Sequence, residues 1–100
     1  MQNAGSDEAQ IQVTVRFYSI VADRVGKRET QRTLPAGKTM GDLIQNIGQE
    51  HPAFREFATP LDSQAGHPLR IVCNGRMVLD MNQQLVDGDD IRVFPIISGG

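Results

Sequence analysis

A chain of 100 residues is long enough for one hydrophobic core and too short for two, so a single functional site is expected. Its 39% hydrophobic and 22% charged residues sit at globular values, which excludes disorder throughout. The formal net charge of -2, with Lys and Arg scattered along the chain, argues against nucleic acid as a partner, and no apolar run approaches the roughly 18 residues that span a bilayer, so no membrane contact and a cytoplasmic location are expected.

Residues 1–10, MQNAGSDEAQ, carry no apolar periodicity and are expected to be a flexible tail ahead of a folded domain over 11–95. From Ile11 the pattern alternates: Ile11, Val13, Val15 and Phe17 fall on one side, and Gln12, Thr14, Arg16 and Tyr18 on the other, as in a half-buried strand. Ser19 to Gly26 reads as a loop. Lys27 to Leu34 alternates weakly and is Thr-containing, as expected of a strand at a sheet edge that makes a hairpin with the first.

Pro35-Ala36-Gly37 breaks that pattern, and Thr39 stands three residues before Asp42, the spacing of a capping box. Met40, Leu43, Ile44 and Ile47 then recur at helical spacing, while Asp42, Gln45, Asn46 and Gln49 cover the opposite side. Pro52 ends the helix near His51. Ala53 to Pro68 reads as loop with a short helical turn around Phe54 to Phe57, whose rings are expected to cap the core.

Leu69 to Cys73 is a buried-looking strand, and Asn74-Gly75 is a strong hairpin-turn signal because both residues tolerate positive φ. Arg76 to Leu79 should return antiparallel. Asp87-Gly88-Asp89 marks a further turn before a last alternating strand, Ile91 to Pro95. Two hairpins flanking one helix imply an α+β roll, a mixed sheet with one face packed on the helix.

Recognisable catalytic motifs are missing. Cys73 is the sole cysteine, which excludes an internal disulfide, and in an apolar run it reads as core filling. His51 and His67 lack ligand spacing and read as surface loop histidines; Asp87, Asp89 and Asp90 read as turn chemistry rather than a metal site. The remaining feature is the tail at 96–100, ending in Gly99-Gly100. Its Ser98-Gly99-Gly100 end has almost no side-chain bulk and could thread a narrow channel, with the extended tail reaching roughly 20 Å from Pro95 at about 3.3 to 3.6 Å per residue.

Val15-Arg16-Phe17-Tyr18, the Thr39 to Leu43 helix start, Asn74-Gly75, Leu85 to Asp90, and Phe94-Pro95 running into Gly99-Gly100 occur in an order that resembles the MoaD/ThiS family of ubiquitin-like sulfur carriers. Within that family the likeness is greatest to the small subunit of molybdopterin synthase. The resemblance covers about Ile11 to Gly100. It implies a β-grasp fold of four to five strands on one main helix, and a carrier that is not itself an enzyme and binds no cofactor.

What the resemblance further implies is a cycle run by partners. A ubiquitin-activating-type adenylating enzyme would use ATP and Mg to convert the Gly100 carboxylate to an acyl adenylate. A sulfur donor would then leave a thiocarboxylate for an acceptor enzyme such as the molybdopterin synthase large subunit. Gly99 and Gly100 would be the reacting end, Tyr18, Met77 and Phe94 match interface positions of the family, and Pro95, Ile97 and Ser98 would also contact a partner. Carriage of sulfur for thiamine, cysteine or another metabolite, or conjugation to proteins through Gly100, are the alternatives.

Overall fold

The computed structural model describes residues 9–58 and 69–95, with backbone alone at 56–58. Expectations for residues 1–8, for the Phe57 ring, for His67 and for the 96–100 tail lie outside the described residues. The elements run β1 (Gln10–Phe17), α1 (Ile20–Val25), β2 (Glu29–Pro35), α2 (Met40–Glu50), a 3₁₀ segment (Pro52–Ala58), β3 (Leu69–Cys73), β4 (Arg76–Met77) and β5 (Asp90–Pro95). They form a five-stranded sheet in the order β2-β1-β5-β3-β4. β1 pairs antiparallel with β2 and parallel with β5, and β5 and β4 each pair antiparallel with β3. This is the α+β, β-grasp arrangement.

Alternation decides which side of each strand is buried. Ile11, Val13, Val15 and Phe17 of β1, Leu69, Ile71 and Cys73 of β3, and Ile91 and Val93 of β5 form one core with Met40, Leu43, Ile44 and Ile47 of α2. Removing each of these side chains from water contributes about 1.5 to 3 kcal/mol, which is why the sheet holds the helix against the conformational entropy lost on folding. Phe54 of the 3₁₀ segment is fully buried and meets Phe17 edge-on, with ring centroids 6.2 Å apart, so this ring does cap the core.

The start of α2 is held in three ways. The Thr39 hydroxyl accepts from the Asp42 N–H at 3.2 Å, and the Asp42 carboxylate accepts from the Thr39 N–H at 2.9 Å, completing the capping box. The next two orphan donors, the Met40 and Gly41 N–H groups, reach the Gln83 and Met81 carbonyls at 2.9 and 2.8 Å. At Gly41 a Cβ would stand 3.3 Å from the Met81 carbonyl oxygen, so glycine is what lets this loop close on the helix. At the other end His51 donates its N–H to the Ile47 carbonyl, ending the helix where Pro52 requires.

Some sequence-based expectations need correction. Ser19 to Gly26 is not a loop throughout, because Ile20–Val25 makes a short helix that buries Val21 and Val25, one turn apart, and is closed by a Gly26 N–H bond to the Ala22 carbonyl. Two buried positions in six residues are too few to register as periodicity. β2 begins at Glu29 and includes Pro35, as an edge strand allows. β4 is only two residues long, although the Val78 N–H continues the pairing to the Ile71 carbonyl at 2.8 Å.

His51 is half-buried rather than fully exposed: its side chain is 21% exposed, and its Nε2 stands 3.9 Å from Glu50 Oε1 with no hydrogen-bond partner. β2 is tied to α2 by Arg32, whose Nη1 donates to Asn46 at 3.0 Å and to Glu50 at 2.6 Å. The bond from Arg32 holds the Glu50 carboxyl below its ordinary value.

The cap makes a prediction. Bonds from the Thr39 backbone and then its side chain hold the Asp42 carboxyl below its ordinary value. A depressed folded pKa means that the stabilisation is complete above that value and is lost as pH falls through the folded pKa. Thr39→Ala should cost about 1 kcal/mol in urea unfolding at neutral pH, and the difference from the unsubstituted chain should shrink as Asp42 protonates.

Candidate functional site

The sheet face turned away from α2 is the candidate site, a docking surface. Register places its residues: Arg16 lies across from Arg92, Arg92 from Val72, and Val72 from Met77, in one row over four strands. In the next row Phe94 lies across from Arg70. The Tyr18 N–H donates to the Val93 carbonyl at 3.1 Å, extending the parallel pairing one step past β1, and this sets Tyr18 beside Phe94. The two rings stack with centroids 4.4 Å apart and planes 12° from parallel. Such a stack on a solvated face contributes about 0.5 to 1.5 kcal/mol beyond burial and leaves an apolar platform where β5 ends.

Met77, across from Val72, is 50% exposed, so apolar surface is also presented at the β4 edge of the same face. Singly exposed apolar residues are ordinary, but a stacked aromatic pair on the same sheet face as Val72 and Met77 is the kind of surface that marks an interaction site. Tyr18, Met77 and Phe94, singled out from the sequence, thus share one face, and Pro95 closes β5 opposite Leu69. Ile97, Ser98, Gly99 and Gly100 lie outside the described residues. Arg70, Val72 and Arg92 were not singled out. Parity along LRIVC and IRVFP puts them on the outer side, but only the strand order reveals that they adjoin Met77 and Phe94.

The loop before β5 is a junction rather than a local turn. The Asp87 carboxylate accepts from the Gln12 N–H at 2.8 Å, and the Gly88 N–H returns to the Gln12 carbonyl at 2.8 Å, stitching the turn to β1. Asp89, 6% exposed, accepts from the Asn74 side-chain amide and from the Val86 N–H, both at 2.8 Å. Asn74 in turn accepts from the Asp90 N–H at 2.9 Å. These bonds hold β5 between β1 and β3, and so hold Phe94 against Tyr18. The reading as turn chemistry fits Gly88, whose φ is 89°, and is incomplete for Asp87 and Asp89, whose carboxylates bond residues far along the chain.

Cys73 lies on the inner face, in the core. Burial, and then the neighbouring Asp89 charge, push the Cys73 thiol up to about 11, so it is protonated at neutral pH and no nucleophile. Among the described residues no group of three His, Cys, Asp or Glu could hold a metal ion, and no helix is long and apolar enough to cross a membrane. What the geometry offers is a rigid platform at the end of the strand that leads into the C-terminal residues.

The ThiS family model matches residues 15–100. This chain belongs to the MoaD/ThiS family. The structure of a putative molybdopterin converting factor, subunit 1, from Pyrococcus furiosus superposes with a TM-score of 0.75 at 30% identity, covering 87% of this chain and 99% of that one. Small archaeal modifier protein 3 of Haloferax volcanii is 24% identical over 93 residues, 90% of this chain and 100% of its own length. A complex of subunits 1 and 2 of molybdopterin-converting factor from Helicobacter pylori contains a chain of the same fold, with a TM-score of 0.56 and 23% identity over 90% of this chain and all of that one. Members of this MoaD/ThiS family are small ubiquitin-like carriers and modifiers.

Two substitutions separate junction from platform. Asp89→Ala would leave the Asn74 amide and the Val86 N–H without their acceptor and should cost about 2 to 3 kcal/mol in urea unfolding. Tyr18→Ala should cost no more than about 1.5 kcal/mol, because its ring stacks outside the core.

Proposed function

We propose that this chain is a sulfur carrier that works at its C terminus, in the manner of the small subunit of molybdopterin synthase. The observation that carries the reading is positional: β5, the strand that leads into Gly99-Gly100, ends beside the Tyr18–Phe94 stack. A partner seated on that stack receives the tail. In the proposed cycle the Gly100 carboxylate attacks the α-phosphate of ATP, held with Mg in an adenylating enzyme, and releases pyrophosphate. Sulfide then attacks the acyl carbon, the bond to AMP breaks, and a thiocarboxylate remains.

The partners supply nucleotide site, metal and acid–base groups; the carrier itself is not an enzyme, holds no cofactor, and works in the cytoplasm. The acceptor is a large subunit of the molybdopterin synthase kind, in keeping with the likeness to the Pyrococcus furiosus subunit. A second reading is favoured by the full-length match to the Haloferax volcanii modifier: Gly100 would then be joined to lysines of other proteins after the same adenylation step.

Intact-mass measurement after incubation with the adenylating enzyme, ATP, Mg and sulfide distinguishes them. A gain equal to one oxygen replaced by sulfur, located at Gly100, is expected of the carrier. Conjugates to lysine without that gain would favour the modifier, and an unchanged mass would overturn both. Deleting Gly100 should abolish the modification and leave the urea midpoint unchanged, because no described core residue lies beyond Val93.

A further inference from the structure

The sheet ends on one side in β4, two residues long, and on the other in β2, seven residues long, so among the described residues β2 is the one extended strand with an unpaired flank. Which of its main-chain groups point outward follows from the ladder with β1. The Phe17 N–H donates to the Arg28 carbonyl at 2.8 Å and the Ala36 N–H to the Ala9 carbonyl at 2.9 Å, so Arg28, Thr30, Arg32, Leu34 and Ala36 bond β1. The N–H and C=O groups of Glu29, Gln31 and Thr33 therefore face away from the sheet, and Pro35, next in that series, has a carbonyl but no N–H. All four residues are exposed. Edges are commonly blunted by an inward-pointing charge, by proline or by a covering segment. Here the inward charge, Arg32, is drawn back to Asn46 and Glu50 of α2, and Glu29 is paired with Arg16 of the neighbouring strand.

We infer that β2 is a self-pairing edge, at which two copies of this chain join antiparallel, β2 to β2, and merge their five-stranded sheets into one. Charge and proline select the register. With Gln31 across from the partner's Gln31, Glu29 meets the partner's Thr33 and Thr33 meets the partner's Glu29, so every outward N–H finds an outward carbonyl. Thr30 then lies across from the partner's Arg32, and the two Arg32 guanidinium groups, diagonal over the seam, each keep their own Glu50. An odd shift of the partner sets outward groups against groups already committed to β1. A shift of two residues puts Arg28 across from the partner's Arg32, or Arg32 across from its own equivalent. A shift of four opposes Glu29 to its own equivalent, or puts Gln31 across from the partner's Pro35, which cannot donate.

The side chains at the centre suit this register as well. Gln31 Oε1 accepts from the Gln12 amide at 3.2 Å within its own copy, and Gln31 Nε2 is placed to donate to the partner's Gln31. An extended segment of another protein would use the same outward groups, but a register in which no like charges meet directly and both prolines fall beyond the paired residues favours a second copy. The seam uses neither the Tyr18–Phe94 stack nor the chemistry at Gly100, so it stands apart from the carrier and modifier readings. Main-chain bonds with little apolar burial make a weak contact, with a dissociation constant on the order of 0.1 mM.

The test is sedimentation velocity of the full chain from about 0.01 to about 1 mM, with amide hydrogen exchange measured at both ends of that range. A concentration-dependent dimer is expected. At the high concentration the Glu29, Gln31 and Thr33 amides should exchange at least about threefold more slowly, with the Thr30 and Arg32 amides, already bonded to β1, changing less. Gln31→Lys and Gln31→Glu each set like charges together at the centre of the seam and should weaken self-association by at least about fivefold, while an equal mixture of the two should restore it.

A chain that stays monomeric to about 1 mM would overturn the inference, as would a dimer that both substitutions leave intact or a mixture that associates no better than either variant alone. The exchange measurement on the unsubstituted chain decides the matter even if a substitution lowers the urea midpoint: a dimer without slowing at Glu29, Gln31 and Thr33 joins elsewhere, and self-pairing of β2 is then wrong. Slowing at those amides that appears only when the adenylating enzyme is added to a monomeric chain would assign the edge to that enzyme and equally overturn self-pairing.

Discussion

The parallel pairing of β1 with β5 is the constraint on which the rest of the molecule depends. A parallel neighbour cannot be reached by a tight hairpin, so the chain between the two strands must cross over, and that crossover contains β2, α2 and the β3–β4 hairpin. With both strands at the centre of the sheet, their inward residues make the middle of the core. Because they run the same way, β5 finishes where β1 finishes. Tyr18, one residue beyond β1, and Phe94, near the end of β5, are therefore neighbours although 76 positions separate them in the sequence.

The two faces of the sheet answer to different physical demands. The inner face must exclude water, and it does so with apolar residues from four of the strands and α2 and with the edge-on rings of Phe17 and Phe54. The outer face is solvated and is free to carry Arg16, Arg70 and Arg92 beside the stacked rings. The junction at Val86 to Asp90 joins the two, since the bonds that seat β5 in the core also fix the register that assembles the outer patch. Buried Asp89 is tolerated because both of its oxygens are engaged, one by Asn74 and one by the Val86 N–H.

The sole thiol is buried and held protonated, and the ionic groups of the outer face are paired or shared instead of being drawn into a reactive cluster. A fold of this type hosts a function through what it displays and where its strands end. Here it displays an aromatic stack at the exit of β5.

Much of the fold was legible locally. Alternation in Ile11 to Phe17, Leu69 to Cys73 and Ile91 to Pro95, the Thr39–Asp42 box, the heptad-like spacing in α2 and the Asn74-Gly75 turn are each decided within a few residues, by side-chain period, capping and tolerance of positive φ. For the same reason the resemblance that names the family could be carried by short motifs. What local rules do not contain is partnership. Which strands are adjacent, that Asp89 bonds Asn74, that Val21 and Val25 make a short helix worth forming, and that Arg70, Val72 and Arg92 adjoin Met77 and Phe94 all depend on contacts between segments far apart in the chain. Such contacts have no signature in a window of sequence, because their free energy exists only once the core brings the segments together.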